Sequence, residues 1–234
     1  MAELERCGET LAAAFGVASV RVVRHRSYAN LAEVTALRSD PLASAAPAWP
    51  WLGRPSTSAW EPIPIGVDES GAEVSVGLAE HSLLLGGEPG AGKSAALSLL
   101  VGGVALDPRA SMWLLDPKVV ELSGWRSCAR AFAGLDMAEA IGILREVQRV
   151  MDARYAQLVA SGLRKLPVGE GLHVVVIDEL AHYLTRSDKK SKEAFIDVLR
   201  DLVSRGRAAG VIVIAATQKP ASDVVPTSLR DLFG

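Results

Sequence analysis

The chain has 234 residues, 49% of them hydrophobic, with a formal net charge of −2 and an isoelectric point near 6.1. That size and apolar content suit one sizeable α/β domain with a small appendage. The charge excludes a globally basic nucleic-acid coat, so any DNA contact must be a local patch. The two cysteines, Cys7 and Cys128, lie far apart without CxxC spacing, which points to a reducing compartment and no disulfide framework. No apolar run reaches the roughly 20 residues a membrane helix needs, and Glu3 and Glu5 stand where a secretory signal carries positive charge. The expected location is the cytoplasm, and a place at the inner face of the cell membrane would need a tether from a partner or from sequence outside this chain.

Residues 2–15 carry apolar side chains at helical spacing, with Gly16 as a stop. Ser19–Arg24 and Leu31–Leu37 read as strands of a hairpin around a turn at His25–Asn30. This helix and hairpin, residues 1–40, form a small α/β subdomain that must pack on something else to be stable. Residues 41–62 read as a linker, because prolines at 41, 47, 50, 55 and 62 break regular structure. Its tryptophans, Trp49, Trp51 and Trp60, are expected to pack down on the following domain, the alternative being an exposed aromatic contact site. Residues 63–234 carry the main domain. Ile63–Val67 and Glu73–Gly77 form a second hairpin around Asp68–Gly71.

Gly87–Ser94, GEPGAGKS, has the form G-x-x-x-x-G-K-[ST]. A short apolar strand precedes it from His81 to Gly86, and a helix follows from Ala95. That context makes it a phosphate-binding loop, in which glycines let successive backbone N–H groups cradle phosphates at a helix N-terminus. Gly87, Glu88, Pro89, Gly90, Ala91, Gly92, Lys93, Ser94 and Ala95 are therefore the expected ATP-binding residues. Lys93 is placed to reach the β- and γ-phosphates, and the Ser94 hydroxyl to ligate Mg²⁺.

Ser111–Asp116 is a short apolar run ending in a carboxylate, followed by Pro117-Lys118. A long amphipathic helix is expected over Asp136–Ser161, with Leu135, Ala138, Ile141, Leu144, Val147, Val150 and Tyr155 on its apolar face. Arg164-Lys165 is a short basic patch in the loop beyond it. His173–Ile177 runs into Asp178-Glu179 and reads as a buried parallel strand whose acidic end emerges at its carboxyl edge. Leu180–Leu184 starts a further segment, Asp188–Lys192 reads as an exposed charged loop, and Glu193–Ser204 as a helix. Val211–Ala216 is a third buried strand, ending at Thr217-Gln218. This alternation is the signature of a mostly parallel sheet covered by helices.

In such a sheet, ligands bind outside the carboxyl ends of the strands. Lys93/Ser94, Asp178/Glu179 and Thr217/Gln218 are thus expected to converge. Asp178 would hold Mg²⁺ with Ser94, Glu179 would act as general base toward the attacking water, and Gln218 would sense the γ-phosphate or orient that water. Arg205 and Arg207 have two readings: compensation of a helix C-terminal dipole, or a finger reaching a neighbouring subunit's γ-phosphate. His182 has no second histidine or cysteine at ligand spacing and is not expected to bind metal.

Four blocks, LLLGGEPGAGKS, LLDPKVVELSGW, HVVVIDELAHYL and SRGRAAGVIVIAATQKP, resemble the FtsK/SpoIIIE family of DNA-pumping ATPases over about residues 62–228. The most specific parts are Asp116-Pro117-Lys118 with Glu121-Leu122, and Gly206–Gly210 leading to Ala216–Pro220. The resemblance implies a RecA-like P-loop motor that assembles as a ring, usually a hexamer, around double-stranded DNA and couples ATP hydrolysis to translocation. The ANLAEVTALRSDPL segment and the VVPTSLRDLF ending look closer to actinobacterial plasmid-transfer proteins than to chromosome-segregation pumps. Family members continue with further strands where this chain stops at Gly234, so a C-terminally truncated motor is expected. Two other functions remain open at this point: a protein-secretion motor of the same superfamily, and a nucleotide-binding remnant unable to assemble.

Overall fold

A computed structural model describes residues 7–28, 30–43, 45–185, 188–218 and 225–233. The expected helix start at residues 2–6, the Lys219-Pro220 end of the fourth block and the terminal Gly234 lie outside the described residues. The chain divides into two compact units, residues 1–50 with 65–74, and residues 51–64 with 75–234.

In the first unit, α1 (Gly8–Phe15) ends at Gly16, whose φ of +60° is the left-handed conformation that glycine adopts without a Cβ penalty. β1 (Ser19–Arg24) and β2 (Ala32–Leu37) pair antiparallel, with Val22 opposite Val34. β3 (Ile63–Val67) and β4 (Glu73–Val76), whose outer residues Ile63, Pro64, Ser75 and Val76 are counted with the larger unit, form a second two-stranded sheet, and their turn is tied by Asp68, whose carboxylate accepts from the Ser70 and Ala72 amides.

The stretch expected as a linker, 41–62, is split between the units at residue 50. Its second half is bonded into the larger one. The Thr57 amide donates to the Leu106 carbonyl at 3.0 Å, and the Ala59 amide to the buried Asp107 carboxylate at 2.9 Å. The Trp60 indole N–H donates to the Glu170 carbonyl at 2.7 Å, while Trp51 and Ala59 are buried.

The larger unit is built on five parallel strands: β5 (Leu83–Gly86), β6 (Ser111–Leu115), β7 (Ala129–Ala133), β8 (His173–Ile177) and β9 (Val211–Thr217). Their order is β5-β9-β8-β6-β7. The three central strands have nearly every side chain buried, as the unbroken apolar runs require of a sheet covered on both faces. Trp113, Leu115, Val175, Ile177, Val211, Val213 and Ala215 face a core shared with α3 (Met137–Ala160), α4 (Leu180–Leu184) and α5 (Lys189–Arg205). The alternate residues, Met112, Leu114, Val174, Val176, Ile212 and Ile214, are equally buried on the opposite face. α2 (Lys93–Ala105) follows the phosphate-binding loop and buries Leu97, Leu100, Val101 and Val104. It approaches Ile63 so closely that a Cβ on Gly103 would lie 2.7 Å from Ile63 Cδ1. A last short helix, α6, covers Thr227–Arg230.

Three local expectations are corrected. α3 begins after Asp136, whose carboxylate caps it by accepting from the Ala138 and Glu139 amides, and its buried face is Met137, Ala140, Ile141, Leu144, Val147, Met151 and Leu158. Leu135 and Ala138 are exposed, because the cap sets the rotation of the helix and turns them to solvent. The charged run Lys189–Lys192 is the first turn of α5, capped by Asp188, not a loop. β7, together with the 3₁₀ turn Ser123–Cys128 before it, has no counterpart in the sequence reading. Among the described residues, no helix is long and apolar enough to cross a membrane.

Candidate nucleotide site

The parallel registers bring the expected residues together. Gly86 pairs with Thr217 across β5 and β9, and Ile177 pairs with Ala215 across β8 and β9. Extending the second register by two residues sets Glu179 beside Thr217. β9 thus lies between the strand that enters the phosphate-binding loop and the strand that carries the two acids. The loop, the acid pair and Thr217-Gln218 consequently share one edge, the carboxyl end of the sheet.

In the loop, Gly90 and Gly92 both have φ near +85°, which a side chain would disfavour. Gly92 caps α2 with no side-chain bond to the first-turn amides, and the first turn carries no acidic residue. α3 and α5, by contrast, have Asp136 and Asp188 on their first-turn amides. The start of α2 keeps its N–H groups and the positive end of its dipole for an anion. A cleft of about 380 Å³ opens there, lined by Glu88, Pro89, Gly90, Gly92, Lys93, Ser94 and Ala95 on one side. Lys118, Glu121, Asp178 and Gln218 line the other. Gly87 and Ala91 belong to the loop without lining the cleft.

Lys93 Nζ lies 3.0 Å from Asp178 Oδ1, with both side chains almost wholly buried. Burial pushes the Asp178 carboxyl above its usual range, while the Lys93 ammonium opposes the shift and the carboxylates of Asp116 and Glu121 add to it. Glu179 is also buried. Its Oε1 accepts from Thr217 Oγ1 and from the Gln218 amide, each at 3.2 Å, and its Oε2 is 3.8 Å from Lys118 Nζ. Glu179 sits at φ +55°, in the left-handed region, where it caps α4. Such strain persists only where the surroundings over-determine it, here a buried strand end whose side chain accepts two hydrogen bonds on Oε1 and faces an ammonium with Oε2.

The cleft fits a nucleotide triphosphate with a hard divalent cation. Among the described residues, no group of three or more His, Cys, Asp or Glu could hold a metal ion by itself. A cation here would be held by Ser94 and Asp178 together with phosphate oxygens and water, which suits Mg²⁺.

The sequence reading did not anticipate the turn after β6. Asp116 is fully buried, and its carboxylate accepts from four amides, those of Lys118, Val119, Val120 and Leu122, at 2.9–3.0 Å. This clamp presents Lys118 to the cleft and holds Val119 at φ +55°. The Asp-Pro-Lys sequence was a signal for a turn, since Asp bonds amides two and more residues ahead.

Arg205 and Arg207 are not brought to the cleft of their own chain. They precede β9, at the amino end of the sheet, and line a separate hollow with Tyr155, Arg164, Lys165 and Glu80. Arg205 forms ion pairs with Asp152 at 2.8 Å and Asp201 at 3.0 Å and lies over the Tyr155 ring, so the structural role at a helix C-terminus accounts for it. Arg207 is exposed. His182 stands edge-on to Tyr183.

The parallel sheet, the glycine-built loop and the paired acids define a P-loop nucleotide-binding α/β domain. Residues 54–173 match the FtsK/SpoIIIE family. The DNA translocase FtsK of Streptomyces avermitilis is 30% identical over 190 residues, covering 70% of this chain and 21% of that protein. The DNA translocase FtsK of Lactiplantibacillus plantarum is 29% identical over 186 residues, covering 70% and 23%. The chain belongs to the FtsK/SpoIIIE family and spans about a fifth of the length of these curated relatives. In fold it is similar to the pCW3 conjugation coupling protein TcpA in a monomer form with ATPgS, with a TM-score of 0.68 at 17% identity, over 99% of this chain and 68% of that one. It is also similar to the cytoplasmic domain of the type VII secretion ATPase EccC of Thermomonospora curvata, with a TM-score of 0.62 at 18% identity, over 82% and 25%.

Proposed function

We propose that this chain is the motor domain of an ATP-driven double-stranded DNA translocase, working as a ring, of hexameric order, in conjugative plasmid transfer or chromosome movement. The observation that carries the reading is one cleft lined by Lys93, Ser94, Asp178 and Gln218, with Glu179 bonded to the Gln218 amide beside it, in a chain of the FtsK/SpoIIIE family. The loop amides and Lys93 bind the β- and γ-phosphates, and Lys93 exchanges its bond to Asp178 for phosphate oxygen. Ser94 and Asp178 would hold Mg²⁺, which when bound would supply charge neutralisation at the phosphates. Glu179 takes the proton of the attacking water, and Gln218 orients that water. Among the described residues, none that lines the cleft is an arginine. An arginine for the γ-phosphate would come from a neighbouring copy, and exposed Arg207 is the candidate, ahead of the acid-paired Arg205.

The DNA contact is assigned to the start of α5. Lys189, Lys190 and Lys192 occupy its first turn, which holds no acidic residue among its first positions. Cations there oppose the helix dipole, so the arrangement costs helix stability and suits a role in binding phosphate backbone. Family relatives named as DNA translocases and a coupling protein of similar fold support the same reading.

The test is the rate of ATP hydrolysis with Mg²⁺, with and without long double-stranded DNA and with and without a secretion-signal peptide. Stimulation by DNA over several-fold is expected. An active enzyme indifferent to DNA and stimulated by the peptide would replace this reading with a protein-secretion motor. Nucleotide binding without hydrolysis under any condition would mark a remnant.

A further inference from the structure

We propose that Lys118 is a positioning residue that latches Glu179 in the nucleotide-free protein and releases it when a triphosphate enters the cleft. The proposal rests on Glu179 being the base proposed above. Both oxygens of Glu179 are engaged: Oε1 by Thr217 and the Gln218 amide, Oε2 by the Lys118 ammonium at 3.8 Å. Oε1 is taken up by two donors and Oε2 faces the Lys118 ammonium at ion-pair distance, so the carboxylate is in place with its charge countered.

Of its three partners, two belong to β9 and its end and are fixed by the sheet. Only Lys118 reaches Glu179 on a long side chain, half of it exposed, and Lys118 also lines the cleft. Its backbone cannot retreat, because the Asp116 carboxylate holds the amides of Lys118 and Val119 on Oδ1 and those of Val120 and Leu122 on Oδ2. What moves is therefore the ammonium alone. A polyanionic phosphate arriving in the same cleft offers it a stronger partner than a single carboxylate already satisfied by two other donors. Transfer of Lys118 from Glu179 to phosphate frees Oε2 at the moment a reactive phosphate is present. The exchange has no covalent step.

The test has a part that needs no hydrolysis. Melting temperatures of the wild type, Lys118→Met, Glu179→Gln and the double variant form a cycle. In nucleotide-free protein the two effects are expected to deviate from additivity by about 1–3 °C. That deviation should disappear with Mg²⁺ and a non-hydrolysable ATP analogue bound, and Lys118→Arg should retain it. Additive effects in the nucleotide-free protein would overturn the latch. In turnover, Lys118→Met should raise the DNA-free rate at saturating ATP at least threefold and lower the ratio of DNA-stimulated to basal rate, while Lys118→Arg stays near wild type. A fall to the rate of Glu179→Gln would also overturn the proposal and make Lys118 part of the chemistry. A wild type that fails to hydrolyse ATP counts against the proposed function, whereas the melting cycle still decides the latch.

Discussion

Lys93 and Asp178, 85 residues apart in sequence, meet at 3.0 Å as a nearly buried ion pair at the mouth of the phosphate-binding loop. The pair aligns the lysine of the phosphate-binding loop with the carboxylate proposed above to hold Mg²⁺. Because burial raises the Asp178 carboxyl above its unfolded value, its protonated form is favoured by the fold. The stability this group contributes is present below the unfolded pKa and is lost as pH rises through the folded one. Asp178→Asn removes that carboxyl but also leaves the nearly buried Lys93 ammonium without its counter-ion, so the single substitution is expected to lower the melting temperature of the nucleotide-free protein by several degrees, and Lys93→Met combined with it should recover part of the loss. Calorimetry of the single and double variants checks this, and a single variant as stable as the wild type would refute it.

Glu179→Gln keeps the size of the side chain and its capacity to accept from Thr217 and the Gln218 amide while removing the base. Turnover should fall by at least about 10²-fold. ATP affinity should remain within a few-fold of wild type, since the loop and Lys93 are untouched. Single-turnover hydrolysis and equilibrium binding of a fluorescent ATP analogue separate the two effects.

The lysines of α5 should act on DNA and not on the fold. Replacing Lys189, Lys190 and Lys192 by Gln is expected to weaken double-stranded DNA binding uniformly across sequences. The slope of log K against log salt should become shallower by about one for each DNA phosphate the protein no longer neutralises. The melting temperature should hold or rise, because like-signed charge leaves the helix N-terminus. A fluorescence titration at three salt concentrations reads the slope.

Gly103 lets α2 approach Ile63 closely. Gly103→Ala places a Cβ 2.7 Å from Ile63 Cδ1, and the overpacking is expected to cost about 1–3 kcal/mol. Combining it with Ile63→Val should recover part of that loss. Urea unfolding of the two single variants and the double variant tests the coupling, and strict additivity would show that the clash is relieved elsewhere.

His173, at the start of β8, accepts the Trp113 indole N–H on Nδ1 at 3.2 Å. Burial, with help from Arg154 and Arg130, pulls its pKa down to about 4 from 6.5. Between those values the unfolded chain takes a proton that the native ring does not. Stability is therefore lost as pH falls from about 6.5 to about 4, by at most about 3 kcal/mol and less for a ring still partly open to solvent. His173→Gln, which can still accept the Trp113 bond, should flatten the pH dependence of unfolding over that range.

The sequence alone determined the parts of this protein that are local. Gly87–Ser94 announced itself because a phosphate cradle needs glycines at fixed offsets before a lysine and a hydroxyl. β8 and β9 were legible because strands buried on both faces read as unbroken apolar runs, and the fold class followed from their alternation with helices. The tertiary structure alone decided what depends on residues far apart in the chain. It placed β9 between β5 and β8, which sets Thr217 and Gln218 against Glu179. It folded residues 51–64 into the larger unit through Asp107 and Leu106. It put Arg205 and Arg207 at the opposite end of the sheet from Lys93, a distance that helix and strand periodicity cannot express. β7 escaped notice because Ala129–Ala133 is short and carries charge, and becomes a strand only by pairing with β6. Lys118 escaped for a related reason. Even with Asp116-Pro117-Lys118 read as a turn signal, only the packing of β6 beside β8 brings that turn within reach of Glu179.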